Sequence, residues 1–408
     1  MPEIAEVARV THFLSKHLIG KTISKVTAVD DANIYGKVGT SGAAFQDALT
    51  GKKVLDVGRQ GKYFWIILSS PPHPVMHLGM TGWINIRGIQ TGYTRYLERT
   101  GGADKEQWPP KFWKFHLETD SDPKVEVAFT DPRRFGRVRL VDCPGKEIRQ
   151  HTPLVENGPD PVVDVDVFTE KYLREKTRGR HVPIKAFLLD QAMISGIGNW
   201  VGDEILYQAK LHPEQYSDDF SDADISTLYK AIKYVCDTAV EKLGDSDQFP
   251  EDWMFKYRWD KGKKDSAMAL PNGEKITHIK VGGRTSCIVP TVQKKRGRTT
   301  IDDVKEESAV PDGEKESRFF KGKKKEQTNG KVKTEVDVEE EERPVKKVKT
   351  AKSKPIKRED EEEDGEEGET KLAVRTSRKS DKKDKGKESV EPPLDGSRRR
   401  SDRLRTRS

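Results

Sequence analysis

The chain begins MPEIAEV. Removal of Met1 ahead of a small Pro2 would leave a terminal imino nitrogen beside the carboxylate of Glu3. Two readings fit: the end of the chain is arbitrary, or it is itself a reagent. Further along, DPRRFGRV (131–138) puts Arg133, Arg134 and Phe135 between a strand end and a glycine. This is either a turn with surface arginines and a core phenylalanine, or an arginine-plus-aromatic wedge that enters a nucleic-acid duplex and replaces lost stacking. ISGIGNWVGDEILYQAKLHP (194–213) has two glycines and then Asn199 at the start of an apolar helix. Asn199 reads as an N-cap; a glycine-lined helix start also bares N–H groups to an anion such as phosphate. His77 and Met80 lie among glycines in MHLGMTGW, and Lys62 stands where a hairpin enters a strand in GRQGKYFW. Taken singly, these three read as a satisfied polar residue, a core methionine and a solvated lysine.

Such residues need a scaffold. Ile4, Val7, Val10, Phe13, Leu14 and Ile19 form one helical stripe, closed by Gly20. Short strands follow in TISKVTAV, KKVLDVGRQGKYFWIILS, VMHLGMTGWINI, KFHLETDSDPKVEVAFTD and GRVRLVD. Bounded by Gly, Pro or Asp, they predict an antiparallel β sandwich or barrel decorated by the first helix. After CPGKE the period changes. VDVFTEKYLREKT, PIKAFLLDQAM, NWVGDEILYQAKL and SDADISTLYKAIKYVCDTAVEKLG read as helices, with Ser221 or Asp222 as N-cap and Gly244 as C-cap. GEKITHIKVGGRTSCIVPTVQ reads as a hairpin turning at Gly-Gly. The expected fold is α+β and multidomain: a β-sandwich domain (1–145), a helical domain (160–248), a small hairpin domain (249–295) and a charged tail (296–408).

Composition separates the tail from the rest. All seven Trp and all ten Tyr precede residue 296, and the only aromatics beyond it are Phe319 and Phe320. A segment so polar buries too little apolar area to offset its conformational entropy, so disorder is expected. The formal net charge of +7 divides into +4 for the tail, with 33 basic and 29 acidic residues, and +3 for the rest. Any basic face must therefore come from local clustering. Three scattered cysteines, Cys143, Cys236 and Cys287, include no C-x-x-C pair, which argues against a disulfide framework or thiolate zinc site. No apolar run is long enough for a membrane span and no hydrophobic leader opens the chain. A soluble intracellular protein, a monomer without membrane contact, is the expectation.

In this order the motifs resemble the formamidopyrimidine-DNA glycosylase / endonuclease VIII family of base-excision repair enzymes, in its plant and fungal formamidopyrimidine branch. The resemblance spans roughly residues 1–295 and rests on PEIAEV, the GKY lysine, HLGMTG, DPRRFG, KAFLLDQAMISGIGNWVGDEILYQAKLHP and GGRT…VQKK. It implies a bifunctional glycosylase/AP lyase with a helix-two-turn-helix domain, acting on damaged double-stranded DNA without a cofactor. Pro2 would attack C1′, Glu3 would protonate the sugar O4′ or shuttle protons, and Glu6 would support Glu3. Lys62 would hold the phosphate flanking the lesion and His77 a neighbouring one. Met80, Arg133 and Phe135 would fill the gap left by the everted base, with Arg134 beside them. Lys185, Asn199 and Arg284 would bind backbone phosphates. Elementary chemistry agrees: an α-amine has a reference pKa near 8 against about 10.4 for lysine, so far more of it is free base at neutral pH. An iminium formed with the opened sugar is an electron sink that promotes β,δ-elimination.

The chain departs from the family in places. Bacterial members end in a four-cysteine zinc finger; here the last two ligand positions are Val289 and Val292, so no metal and a zincless finger are expected. The connection DSDQFPED (245–252) is shorter than the bacterial loop that caps 8-oxoguanine. Poor handling of that base is expected, with formamidopyrimidines, hydantoins and abasic sites preferred. Ala5 replaces a usual proline. RPVKKVKTAKSKPIKR (343–358) looks like a bipartite nuclear import signal, implying an import receptor as partner and a nuclear location. The alternatives are an endonuclease VIII-like enzyme for oxidised pyrimidines, sharing the chemistry, and a non-catalytic nucleic-acid scaffold that needs neither Pro2 nor Glu3.

Overall fold

A computed structural model describes residues 2–93, 107–259 and 269–296. The chain divides into two compact units, and every described residue falls in Met1–Lys325. The tail expected to be disordered, with its import signal, lies outside the described residues apart from Arg296. That arginine donates to Asp224 at 2.7 Å.

Helix α1 (Ile4–Leu18) opens the fold, and Gly20 follows it at φ +84°. Ile19, expected in the stripe, is instead the C-cap and 43% exposed. Two four-stranded antiparallel sheets then face one another. One has the order β1 (Ile23–Ala28), β6 (Trp113–Thr119), β7 (Glu126–Thr130), β5 (Trp83–Ile86); the other β2 (Val54–Gln60), β3 (Tyr63–Leu68), β4 (His73–His77), β8 (Arg137–Val141). Phe45, Phe64, Phe115 and Phe129 are buried between them, each burial contributing about 2 kcal/mol. Phe45 comes from α2 (Gly42–Leu49), which the sequence reading missed. Its cue was Ser41, whose side chain accepts the Ala44 N–H.

The second half is helical: α3 (Glu170–Arg178), α4 (Ile184–Leu189), α5 (Asn199–Gln208) and α6 (Asp222–Glu241). Thr169 caps α3, so the helix starts later than its apolar pattern suggested, and Ser221 caps α6 as expected. The hairpin β9 (Thr277–Val281) and β10 (Arg284–Ile288) turns at Gly282 and Gly283, both at positive φ, as a type I′ turn demands. Its base packs Cys287, Ile276, Leu270, Val289 and Met254 into a small apolar cluster. Among the described residues no helix is long and apolar enough to cross a membrane.

One helix serves both halves. Ile4 and Ala5 belong to the core of the helical half, whereas Val7, Val10, Leu14 and Leu18 belong to the core of the sandwich. The start of the chain is thereby fixed at the seam.

Candidate active site and nucleic-acid interface

At that seam the Ile4 N–H donates to the Gly196 carbonyl at 3.0 Å. Glu3, 2% exposed, turns its carboxylate onto the first turn of α5. Oε1 accepts the Trp200 N–H and Oε2 the Val201 N–H, each at 3.1 Å. These are amides that a helix leaves unpaired and that favour an anion. Asn199 is therefore not the N-cap; Gly198 is. A side chain at 198 would collide with Glu3, and the anion held at this helix start is Glu3 itself rather than a phosphate. Pro2 is half-buried next to it.

Glu6 reaches back so that its Oε2 accepts the Glu3 N–H at 2.9 Å. Burial, and then the Glu3 charge, push the Glu6 carboxyl up to about 7. Lys62 follows Gly61 in the tight turn between β2 and β3. The Gly61 N–H is tied at 2.8 Å to Asp160, which also binds Arg59 at 2.7 Å. The turn is thus clamped to the segment leading into the helical half. Burial lowers the proton affinity of Lys62, while Glu3 and Glu6 raise it and Arg284 lowers it. An ammonium that is 9% exposed and flanked by such charges is set to receive an anion.

His77 ends β4. Burial, then Lys62 and Arg137, push its ring down to about 4, so it is neutral at physiological pH. Its Nδ1 accepts the Gly79 N–H at 2.9 Å, which leaves the proton on Nε2 as a donor. Gly79 sits at φ +64°, and a Cβ on it would lie 2.4 Å from the Gly136 nitrogen. The strand end carrying Met80 and the loop carrying Arg133 and Phe135 therefore touch backbone to backbone. Asp131, fully buried, organises that loop through Thr81, the Arg133 N–H and the Gly136 N–H at 2.7, 3.2 and 2.7 Å. Phe135 is 48% exposed, with the Arg133 guanidinium 5.1 Å from its ring centre. Met80 is half-buried beside them.

Two expected DNA contacts are spent elsewhere. Lys185 has no exposed surface; its Nζ donates to Asp203 at 2.6 Å and to the Asn199 carbonyl at 2.7 Å. Arg258 binds the other Asp203 oxygen. A buried ion network at the base of α5 is what the lysine serves, since an unpaired ammonium there would be very costly. Arg134 grips Asp31 through two bonds, at 2.8 and 2.9 Å. Burial raises the Asp31 carboxyl, but its bonds to Arg134 and Lys114 win and hold it at about 2. Arg134 thus fixes the loop through one edge of its guanidinium, while the side chain stays half exposed. The sequence reading missed Asp31, Asp203 and Arg258, since nothing local marks an acid or base whose partner is many residues away; it also missed Asp131, although two of its partners, the Arg133 and Gly136 N–H groups, lie within the same motif.

Asn199 bridges the halves of the interface, its Nδ2 donating to the Thr285 carbonyl of β10 at 3.0 Å. That bond docks the hairpin, whose Arg284 is exposed at the turn. Burial pushes the Cys287 thiol up to about 12, which disfavours the thiolate a zinc site needs. Among the described residues no group of three or more His, Cys, Asp or Glu is placed to hold a metal.

The sequence and the fold have known counterparts. The chain matches the formamidopyrimidine-DNA glycosylase N-terminal domain over residues 1–138 and the formamidopyrimidine-DNA glycosylase H2TH domain over residues 158–250. A formamidopyrimidine-DNA glycosylase of Arabidopsis thaliana is 39% identical over 301 residues, 73% of this chain and 72% of that protein. One from Desulforamulus reducens is 31% identical over 300 residues, 72% of this chain and 99% of that protein. The fold of a Lactococcus lactis formamidopyrimidine DNA glycosylase, solved non-covalently bound to DNA containing an AP site, matches with a TM-score of 0.57. It does so at 24% identity, over 72% of this chain and all of that one.

Proposed function

The chain belongs to the formamidopyrimidine-DNA glycosylase family of base-excision repair enzymes, and on that premise we propose that Pro2, freed of Met1, is the nucleophile of a combined glycosylase and AP lyase. The Pro2 nitrogen bonds C1′ of the damaged nucleotide as the bond from C1′ to the base breaks, and the base leaves with a proton. The Glu3 carboxylate takes up the proton that the Pro2 nitrogen loses and delivers it to O4′ as the C1′–O4′ bond opens, which leaves an iminium. Loss of a C2′ proton then expels the 3′ phosphate, and a second elimination expels the 5′ phosphate.

The observation that carries this reading is the anchoring of Glu3 by the Trp200 and Val201 N–H groups beside Pro2. The same bonds cap α5, but a carboxyl held beside a chain-terminal imino nitrogen also supplies the proton carrier that opening a sugar ring needs. Glu6, near 7, holds a proton close to that carboxyl, and its own Oε2 accepts the Glu3 backbone N–H, which fixes Glu3 in place. In this reading Lys62, His77, Asn199 and Arg284 meet phosphates, while Met80, Arg133 and Phe135 fill the gap in the stack. The wedge of Arg133 and Phe135 favours the formamidopyrimidine branch over the oxidised-pyrimidine one.

Borohydride reduction on an abasic-site duplex tests the reading: the adduct maps to the Pro2 peptide and disappears when an added residue blocks the nitrogen. An adduct on another residue, or equal activity of the blocked protein, overturns it. The substrate preference we propose is for formamidopyrimidines and hydantoins over 8-oxoguanine, from the short 245–252 connection. Equal single-turnover rates on hydantoin and 8-oxoguanine duplexes overturn that part. Nuclear import through 343–358 is also proposed, and a reporter fused to that segment that stays outside the nucleus overturns it.

A further inference from the structure

The wedge hangs from one end of the β1-β6-β7-β5 sheet. Trp83, at the start of β5, and Trp113, at the start of β6, both pair with Thr130, the last residue of β7. Met80 lies just ahead of β5, and Arg133 and Phe135 just past β7. Immediately ahead of β6, at the same sheet end, stand Lys111 and Phe112.

Phe112 has no evident role in folding. It is 51% exposed and belongs to none of the four apolar clusters. Its φ is +65°, a region that a bulky residue rarely occupies and glycine enters freely. Strain of this kind persists where the surroundings enforce it and often marks a site of use. The enforcement is visible: the Phe112 carbonyl accepts the N–H of Asp131 at 3.1 Å, and Asp131 is the anchor of the wedge loop. Lys111, exposed, places its Nζ 5.1 Å from the Phe112 ring centre. Arg133 and Phe135 repeat the arrangement, a cation 5.1 Å from a ring that is 48% exposed. Two cation-capped exposed rings thus project from one sheet end, joined by a backbone hydrogen bond.

We propose that Lys111 and Phe112 form a second DNA contact beside the wedge. The Phe112 ring packs on bases and sugars of the duplex next to the everted nucleotide, and the Lys111 ammonium meets an adjacent phosphate. Aromatic faces accept any base and lysine accepts any phosphate, so the contact adds affinity without reading sequence. DNA is the occupant because the surface is continuous with the wedge and combines the two chemistries that DNA recognises. The inference rests on the reading of Met80, Arg133 and Phe135 as the DNA-filling residues.

Phe112→Gly tests it. Glycine removes the ring and suits the backbone, so the fold is not penalised. Binding is measured to a duplex carrying a tetrahydrofuran abasic analogue with 2-aminopurine as its neighbour. The expected result for Phe112→Gly is about tenfold weaker binding, a melting temperature equal to or above that of the wild type, and a changed 2-aminopurine signal. Lys111→Ala should lower the slope of log affinity against log salt by about 0.9. Wild-type affinity and signal in Phe112→Gly, with the wild type itself preferring the abasic duplex, overturn this inference alone. So does a lowered melting temperature with unchanged affinity, which would make Phe112 a packing residue. A wild-type protein with no preference for the abasic duplex overturns instead the reading of the wedge.

Discussion

Glu3 and Gly198 are in such close apposition that a Cβ on Gly198 would lie 2.1 Å from the Glu3 carboxyl carbon. The backbone of Gly198 is extended, at φ −118° and ψ −158°, which any residue can adopt. The glycine is therefore required for space, not for conformation. Gly198→Ala should push the carboxylate off the Trp200 and Val201 N–H groups. A displacement on the order of 1 Å costs about 100-fold in rate. Single-turnover base release should fall by about that factor while affinity for an abasic-analogue duplex changes little. A wild-type rate would mean that Glu3 works from another position.

Lys185 and Arg284 should behave differently although both are cationic residues of the expected interface. Lys185→Met leaves Asp203 with Arg258 alone and should destabilise the fold by about 3 kcal/mol, with the salt dependence of DNA binding unchanged. Arg284→Ala should leave the melting temperature within about a degree and lower the salt slope by about 0.9, one phosphate contact. Calorimetry and salt titrations of both variants check this.

Glu204 gives the fold a pH dependence. It is fully buried, accepts the Phe255 N–H at 2.8 Å, and burial pushes its carboxyl up to about 7. An unfolded chain ionises this group from about 4.5, whereas the folded protein keeps the proton until about 7. Stability should therefore fall as pH rises from about 4.5 to 7 and level off above, a loss of about 3 kcal/mol from this group. Glu6 acts in the same direction. Glu204→Gln should make the decline shallower, read from melting temperatures at pH 5, 6, 7 and 8.

A chelator should leave the hairpin intact. Cys287, Val289, Ile276, Leu270 and Met254 hold it by packing, so prolonged treatment with phenanthroline should change neither the melting temperature nor DNA affinity. Stoichiometric zinc in the purified protein, or unfolding on its removal, would contradict this.

The parts of the fold written locally were legible. The apolar period of α1, the alternation in β7, the Ser221 cap and the Gly282-Gly283 turn each depend on a few adjacent residues. The site was legible in composition but not in its wiring. Asn199 reads as a cap because asparagine before an apolar run ordinarily is one; the cap's work is done by Glu3, from 197 residues away. Lys185 looks like any basic residue until Asp203 and Arg258 are seen to enclose it. Arg134 cannot be told from Arg133 in DPRRFG, and only the fold shows that one is paired with Asp31 while the other rests on Phe135. Phe112 gave no signal at all, because its exposure and positive φ are properties of three dimensions.

Because α1 is stitched into both cores, with Ile4 and Ala5 on one side and Val7 through Leu18 on the other, the chain's first residues are gripped by the helical half while the helix that carries them is gripped by the sandwich. Any slippage of the sandwich past the helical half must either strip Ile4 from its packing or bend the helix between Ala5 and Val7. The alignment of Pro2 and Glu3 is thus a gauge of how well the sandwich and the helical half are closed on one another.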